Sequence, residues 1–200
     1  MTQPPRWWLV VVIGLAAIVC AHLLDLTVWT HVRDLQVYDR DWGRMLRSAG
    51  YLPTWFIVAI GLWGHDRGRT GWGWRGGLMI LVPTASGAVA ELLKLMVRRL
   101  RPGDTTFAYT FRPYSEDLWS TKGLGMPSSH VLVAMGAATV LARLFPRVWW
   151  LWYLVAAGCA YTRLLANAHF FSDVVTAAVV GWIIADSAVR WVAKKSTVQN

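Results

Sequence analysis

The chain has 200 residues, 56% of them hydrophobic, with a mean hydropathy of +0.39. The apolar residues fall in long blocks, which excludes an ordinary soluble domain and points to an integral membrane protein. The formal net charge of +9 fits cytoplasmic flanks, anionic lipid and a phosphate-bearing substrate better than it fits nucleic acid.

Six helical spans can be drawn, judged against the ~20 residues a helix needs to cross hydrocarbon. The first covers about 7–28. Arg6 precedes its apolar core as in a signal peptide, but the run outlasts such a core and lacks a small-x-small cleavage site, so it is read as a span. Residues 29–50 form a charged connector. Leu35, Tyr38, Trp42 and Met45 recur there at helical spacing, which predicts an interfacial helix. The second span, about 48–64, is short, and a Gly-, Trp- and Arg-rich turn follows at 65–75. The third span covers about 76–97 and a long polar loop occupies 98–126. The fourth covers about 128–145 and ends at Pro146, the fifth about 148–163, the sixth about 173–192, ended by Lys194 and Lys195. No internal repeat or low-complexity segment interrupts them, so residues 1–200 read as one all-α polytopic membrane domain.

Of the 14 Trp, many sit at block ends: Trp7, Trp8, Trp29, Trp63, Trp72, Trp74, Trp149, Trp150 and Trp191. This is an aromatic belt at the headgroup level. Cys20 and Cys159 lie inside apolar blocks and are expected as free thiols, with no disulfide and no cysteine metal site. The 98–126 loop and the 164–172 turn are two spans apart and share a side, so an even count puts both termini on the other. Compact positive flanks at Arg6, at Arg67, Arg69 and Arg75, at Arg143 and Arg147, and at Arg190, Lys194 and Lys195 place the termini in the cytoplasm. The polar loops then face outward from an inner (plasma) membrane.

Three polar clusters fall on those loops. The central one is 162–173, TRLLANAHFFSD, set between two apolar runs. Charges so near a membrane core are costly and usually have a partner or a task. Arg163 reads as the end of one span, Asn167–Ala168 as a turn, and His169 as the mouth of the next. If the chain is helical there, Asp173 sits beside the His169 imidazole at i, i+4, able to fix its tautomer and support its charge. The second cluster is Lys94-LMVRRL-Arg101-Pro102. A helix would align Lys94, Arg98 and Arg101 on one face, with Pro102 ending it, and such a stripe can clamp phosphate. The third is Gly125-Met126-Pro127-Ser128-Ser129-His130, a helix start whose free N–H groups and hydroxyls suit an anion. Each cluster alone also describes an ordinary helix boundary. Together they supply two histidines, a carboxylate, three or more fixed cations and a helix N-terminus at one membrane face. That inventory suits phosphoryl transfer through a phosphohistidine, with one imidazole attacking and the other protonating the leaving oxygen.

The chain resembles the membrane branch of the type 2 phosphatidic acid phosphatase superfamily, the lipid phosphate phosphatases. The family motifs K-x6-RP, PSGH and SR-x5-H-x3-D read here as Lys94-x6-Arg101-Pro102, Pro127-Ser128-Ser129-His130 and Thr162-Arg163-x5-His169-x3-Asp173. The resemblance implies that His169 is the nucleophile, Asp173 its orienting partner and His130 the general acid. It implies that Lys94, Arg101, Arg163, Ser128 and Ser129 bind the phosphate. Ser129 replaces the motif glycine and Thr162 the first serine of the third motif; neither removes a chemical role. The expected activity is metal-independent and cofactor-free hydrolysis of a lipid phosphate or diphosphate: an isoprenyl diphosphate, phosphatidylglycerol phosphate, phosphatidic acid or lipid A. The rivals are a lipid-to-lipid phosphotransferase and a non-catalytic lipid-phosphate transporter or binding protein. His22 and His31 read as packing or interfacial residues. Asp39 and Asp41 lack the second acidic cluster a metal site would need. Glu91 is expected to pair with Lys94 or Arg98. Arg112, Glu116, Asp117 and Lys122 belong to the loop, with a bearing on substrate choice.

Overall fold

The computed structural model describes residues 7–68 and 73–198, with side chains as far as Lys194. Arg6, Arg69, Trp72 and the Lys195 side chain lie outside the described residues. Seven α-helices follow one another: α1 (Trp7–His31), α2 (Asp41–Ser48), α3 (Leu52–Asp66), α4 (Trp74–Val97), α5 (Ser129–Leu144), α6 (Trp149–Leu165) and α7 (Phe171–Val198). The only β pairing among the described residues is two isolated antiparallel bridges, Arg99 with Phe111 and Leu100 with Leu124.

The helix α5 forms the axis of an all-helical membrane bundle. It packs against α4, α6 and α7, and eleven of its sixteen residues are buried, Val131 to Ala134 and Gly136 to Ala142. Small residues let its neighbours close in, as expected where helices pack by van der Waals contact in lipid. A Cβ on Gly181 of α7 would lie 2.8 Å from the Leu132 carbonyl oxygen, and one on Gly136 would lie 2.6 Å from Ser86 Oγ of α4. The helix α1 is its opposite. Val11, Val12, Ile13, Leu15, Val19 and Leu23 stay exposed along it, as side chains facing lipid do, while Gly14 packs on Val179 of α7.

Each of the six expected spans corresponds to a helix, but they are not equally fit to cross a bilayer. Among the described residues only α1, α4 and α7 are long and apolar enough alone. Helices α2 and α3 pass that test only together, as a pair bent by 65° at residues 49–51. Within the expected connector the chain forms the short α2, and the long helix of the second span begins at Leu52 rather than at 48. With 16 residues, α5 rises only ~24 Å. It can be short because neighbouring helices, rather than lipid, surround most of it.

One expectation fails outright. Lys94, Arg98 and Arg101 do not share a helix face, and Pro102 does not end the helix. The helix α4 stops at Val97, and Arg98 takes a left-handed conformation with φ +57°. Its side chain is buried, donating from Nε to the Arg112 carbonyl at 3.1 Å and from Nη2 to those of Pro113 (2.9 Å) and Glu116. A left-handed cap satisfies the last carbonyls of a helix, here Lys94 O accepting from Arg98 N at 2.8 Å. Once the chain leaves helical phase there, spacing along the sequence no longer predicts facing. Arg112 likewise donates to the carbonyls of Ser120, at 2.9 Å, and Lys122. These two arginines staple the long loop into shape.

Candidate active site

The residues singled out in the sequence converge at one end of the bundle. Lys94 comes from the last turn of α4, Ser129 and His130 from the first turn of α5, Arg163 from the last turn of α6, and Asp173 from the first turn of α7. Arg101 and His169 lie on the connecting loops. The order of the helices explains the meeting: α4 and α6 end where α5 and α7 begin.

His169 is buried, with its side chain 2% exposed. Its Nδ1 lies 2.8 Å from the Gly125 carbonyl oxygen. A carbonyl only accepts, so Nδ1 carries the proton and the lone pair resides on Nε2. Asp173 Oδ2 is 3.7 Å from the same Nδ1, close enough to act on the ring's charge but beyond hydrogen-bond distance. The direct tautomer latch is thus a main-chain oxygen rather than the carboxylate. The reason is local: His169 precedes α7, so the helical i, i+4 geometry is not available. Asp173 instead turns back on its own helix, Oδ2 accepting from Phe170 N at 2.9 Å, the acidic half of a capping box. Burial pushes the His169 imidazole down to about 4, against the opposing pull of Asp173, so the ring is neutral at neutral pH.

Behind Asp173 stands a buried network that the sequence reading missed. Arg99 Nε donates to Asp173 Oδ1 at 3.1 Å, and its Nη2 to Ser172 Oγ at 2.7 Å. Ser172 donates from N and Oγ to Asp25 of α1 at 2.8 and 2.5 Å, and Tyr109 OH donates to the same carboxylate at 2.7 Å. The Arg99 guanidinium sits 5.0 Å from both the Tyr109 and the Phe170 ring centroids. Asp25 carried a legible signal, being the only carboxylate in an otherwise apolar span. Arg99 carried none beyond its place in a run of arginines. His22 belongs to the edge of this network, its Nε2 3.4 Å from Arg99 Nη1. His31 is exposed.

The phosphate-side candidates are held in different ways. Lys94 is buried and pairs with Glu91 at 2.8 Å, as expected. Ser129 Oγ donates to the same Glu91 oxygen at 2.6 Å and accepts from Lys94 Nζ. The hydroxyl that replaces a glycine hydrogen therefore bridges the two. Arg163 is buried and donates from Nη1 to Tyr38 OH at 2.7 Å. Arg101 is the most open cation. Enough protein surrounds its guanidinium that desolvation, then the neighbouring Arg163, hold its pKa below the ordinary value. His130 packs on Gly50, where a Cβ would lie 2.6 Å from its own, and meets the Tyr51 ring edge-on at 5.1 Å. Among the described residues Ser128 Oγ, His130 Nε2 and Arg163 Nε are buried without a hydrogen-bond partner. Buried polar atoms are normally paired, with protein, water or a bound ion. An anion with several acceptor oxygens would satisfy the hydroxyl, the imidazole N–H and the guanidinium at once. Cys20 and Cys159 are both free thiols.

Residues 75–197 match the family model described as the PAP2 superfamily. The chain belongs to the PAP2 superfamily. No curated protein matches it. Among solved structures it is similar to the crystal structure of the first transmembrane PAP2 type phosphatidylglycerolphosphate phosphatase from Bacillus subtilis. That likeness has a TM-score of 0.59 at 18% identity and covers 88% of this chain and 96% of that one. Identity at this level speaks for the shared fold. The PAP2 match contains all eight residues singled out from the motifs. It leaves out α1, α2 and α3, and with them Asp25, Tyr38, Arg47 and Tyr51.

Proposed function

We propose that the protein is a lipid phosphate phosphatase that works through a phosphohistidine on His169. The observation that carries this reading is the Gly125 latch. It leaves a neutral, buried imidazole with Nε2 as its one lone pair, at the face where Lys94, Arg101, Arg163 and the α5 N-terminus gather. Nε2 attacks the phosphorus in line with the leaving oxygen. The three cations and the free N–H groups of the α5 start hold the equatorial oxygens as charge develops there. His130, with Nε2 unengaged, gives its proton to the leaving oxygen and takes one from the water that then cleaves the phosphohistidine. Asp173 stabilises the imidazolium character that His169 acquires, and Arg99 and Asp25 hold Asp173 in place. Fixed cations do the work a metal does elsewhere, so turnover is expected to persist in excess chelator.

The site faces away from the cytoplasm in this reading, on the strength of the arginine flanks at the far end. A cysteine at Ser115 should react with an impermeant thiol reagent in intact spheroplasts, and one at Arg147 should not; the reverse pattern puts the site on the inner leaflet. The deciding experiment is phosphate release by purified protein over a panel of lipid phosphates and diphosphates, with His169→Ala beside it. Release by the wild type alone supports the reading. Binding of the lipids with no release would make the protein a carrier, and transfer to an added acceptor lipid in place of water would make it a phosphotransferase.

A further inference from the structure

Arg47 closes the last turn of α2, outside the residues that the family model covers, and the mechanism above does not use it. Its guanidinium lies 4.6 Å from the Tyr38 ring centroid and 5.4 Å from that of Tyr51. Tyr38 is also the ring beneath Arg163, at 5.8 Å, and its hydroxyl accepts from Arg163 Nη1. Tyr51 is the ring that meets His130. Arg47 and Arg163 therefore share one aromatic ring, and Arg47 and His130 share another. Its Nε is buried without a partner among the described residues, although the residue as a whole is only half-buried. The carboxylates at this end are committed elsewhere, Glu91 to Lys94 and Asp173 to Arg99.

Two guanidiniums packed on one phenol repel each other, and an anion between or beside them removes that cost. Arg101, Arg163 and Lys94 already suffice for a phosphomonoester, which carries about −1.5 to −2. A fourth cation on the His130 side is surplus for that substrate, but a second phosphate adds the charge that would use it. We propose that Arg47 is a specificity-determining residue that holds the leaving phosphate of a lipid diphosphate. This rests on the phosphatase reading. In the step concerned, His169 Nε2 forms a bond to the terminal phosphorus and the anhydride P–O bond breaks. The electron pair stays on the bridging oxygen, which leaves as part of the lipid monophosphate, and Arg47 neutralises it. Water then takes the phosphoryl group from His169 as inorganic phosphate. An alkoxide leaving group needs a proton; a phosphate leaving group spreads its charge over several oxygens and is served by a bidentate cation.

The test measures kcat/KM for farnesyl diphosphate and farnesyl monophosphate in detergent, for the wild type, Arg47→Gln and Arg47→Lys. Arg47→Gln should lose at least tenfold more on the diphosphate than on the monophosphate, and Arg47→Lys should recover part of that difference. Equal losses on the two substrates, or no loss on either, overturn the role of Arg47 and leave the phosphatase reading standing. So does a wild type that turns over the monophosphate alone. A wild type inactive on every lipid phosphate overturns the phosphatase reading and this inference with it. Should Arg47→Gln not fold, inhibition of the wild type decides. Inorganic diphosphate should compete at least tenfold more tightly than orthophosphate, and equal inhibition sinks the assignment.

Discussion

Two ends of the same pair of helices carry charge in opposite fashion. From His130 to Arg143 on α5, and from Asp173 to Asp186 on α7, is the same thirteen-residue step, ~20 Å along the axis. At the far end Asp186 is fully buried and held by two arginines, Arg143 and, at 2.6 Å, Arg190. Nearby in kind is Asp66, held by Arg75 at 2.9 Å and His65 at 2.9 Å. Those carboxylates are saturated. At the site end the arithmetic reverses: Arg163 has a phenol for a partner, Arg101 is open, and a buried hydroxyl and imidazole nitrogen are unengaged. Saturated charge fastens helices together, and the cost of burying it is met by its own partners. Unsaturated charge is held ready for something the chain does not supply.

Substitutions at the two ends should therefore fail differently. The largest effect is expected of His169→Ala, which removes the atom proposed to attack. Turnover of every substrate should fall by on the order of 10⁴–10⁶-fold, with the melting temperature in detergent little changed; residual turnover above background would take the nucleophile's role from His169. His130→Ala should come next, losing ~10²–10⁴-fold on a lipid phosphomonoester. On p-nitrophenyl phosphate, whose leaving group departs as a stable anion, it should lose much less. Equal losses on both, in a folded protein, would leave His130 as a phosphate ligand or a helix-start residue.

At the far end the sign of the result changes. Asp186→Asn should cost about 1–3 kcal/mol of stability, read as a lowered melting temperature, because two arginines lose their counter-charge. Turnover per folded molecule should stay within a few-fold. A variant that melts normally but has lost turnover would erase the contrast between the ends.

The pH profile sharpens the same contrast. His169 is pushed down to about 4 by burial, and the attacking form is the neutral one. As pH falls through about 4 the ring takes up a proton, and the lone pair that the proposed attack uses is lost. The acid limb of kcat/KM, corrected for ionisation of the substrate, should therefore lie near 4 rather than near the ordinary histidine value of about 6.5. A limb at the ordinary value would mean that the free site is wetter, or more anionic, than its buried geometry implies. The smallest effect is expected of Ser129→Gly. It deletes the hydroxyl between Glu91 and Lys94 but keeps the backbone N–H, so a loss of about two- to fivefold is expected, roughly one hydrogen bond's net worth. A gain would mean that the bridge holds Lys94 back.

Much of this was legible in the sequence, and the exceptions share a cause. Long apolar runs fixed α1, α4 and α7, because a membrane leaves few alternatives to a helix. His169, His130, Arg163 and Lys94 could be named because their spacing is local and each sits within a turn of a helix end. What could not be read depends on where the backbone leaves the helix. The exit at Arg98 turned an expected phosphate ligand into a loop staple and put its neighbour Arg99 on Asp173 instead. The 65° bend before Leu52 brings α2, and Arg47 with it, up to the site. The partnership of Asp25 with Ser172 joins residues 147 apart in sequence, and no periodicity reports that.

The latch on His169 is an oxygen of the main chain. Every residue has one, so no side-chain replacement at position 125 can delete it; replacement can only displace it. A Cβ there would lie 3.0 Å from Asp173 Oδ2 and 3.2 Å from the Leu100 carbonyl oxygen. The latch is held in register by Gly125 N donating to Arg99 O at 2.7 Å and by Arg101 N donating to Gly123 O at 3.1 Å. Further out, the loop is tied to the same end of the bundle by Asn167 Nδ2 donating to Asp104 Oδ1 at 3.2 Å and by Phe107 meeting the Phe170 ring edge-on at 5.6 Å. A substitution at position 125 therefore acts on the His169 tautomer by shifting the main chain, and changes that loosen the loop's ties to Asn167 and Phe170 act on the same oxygen from further away.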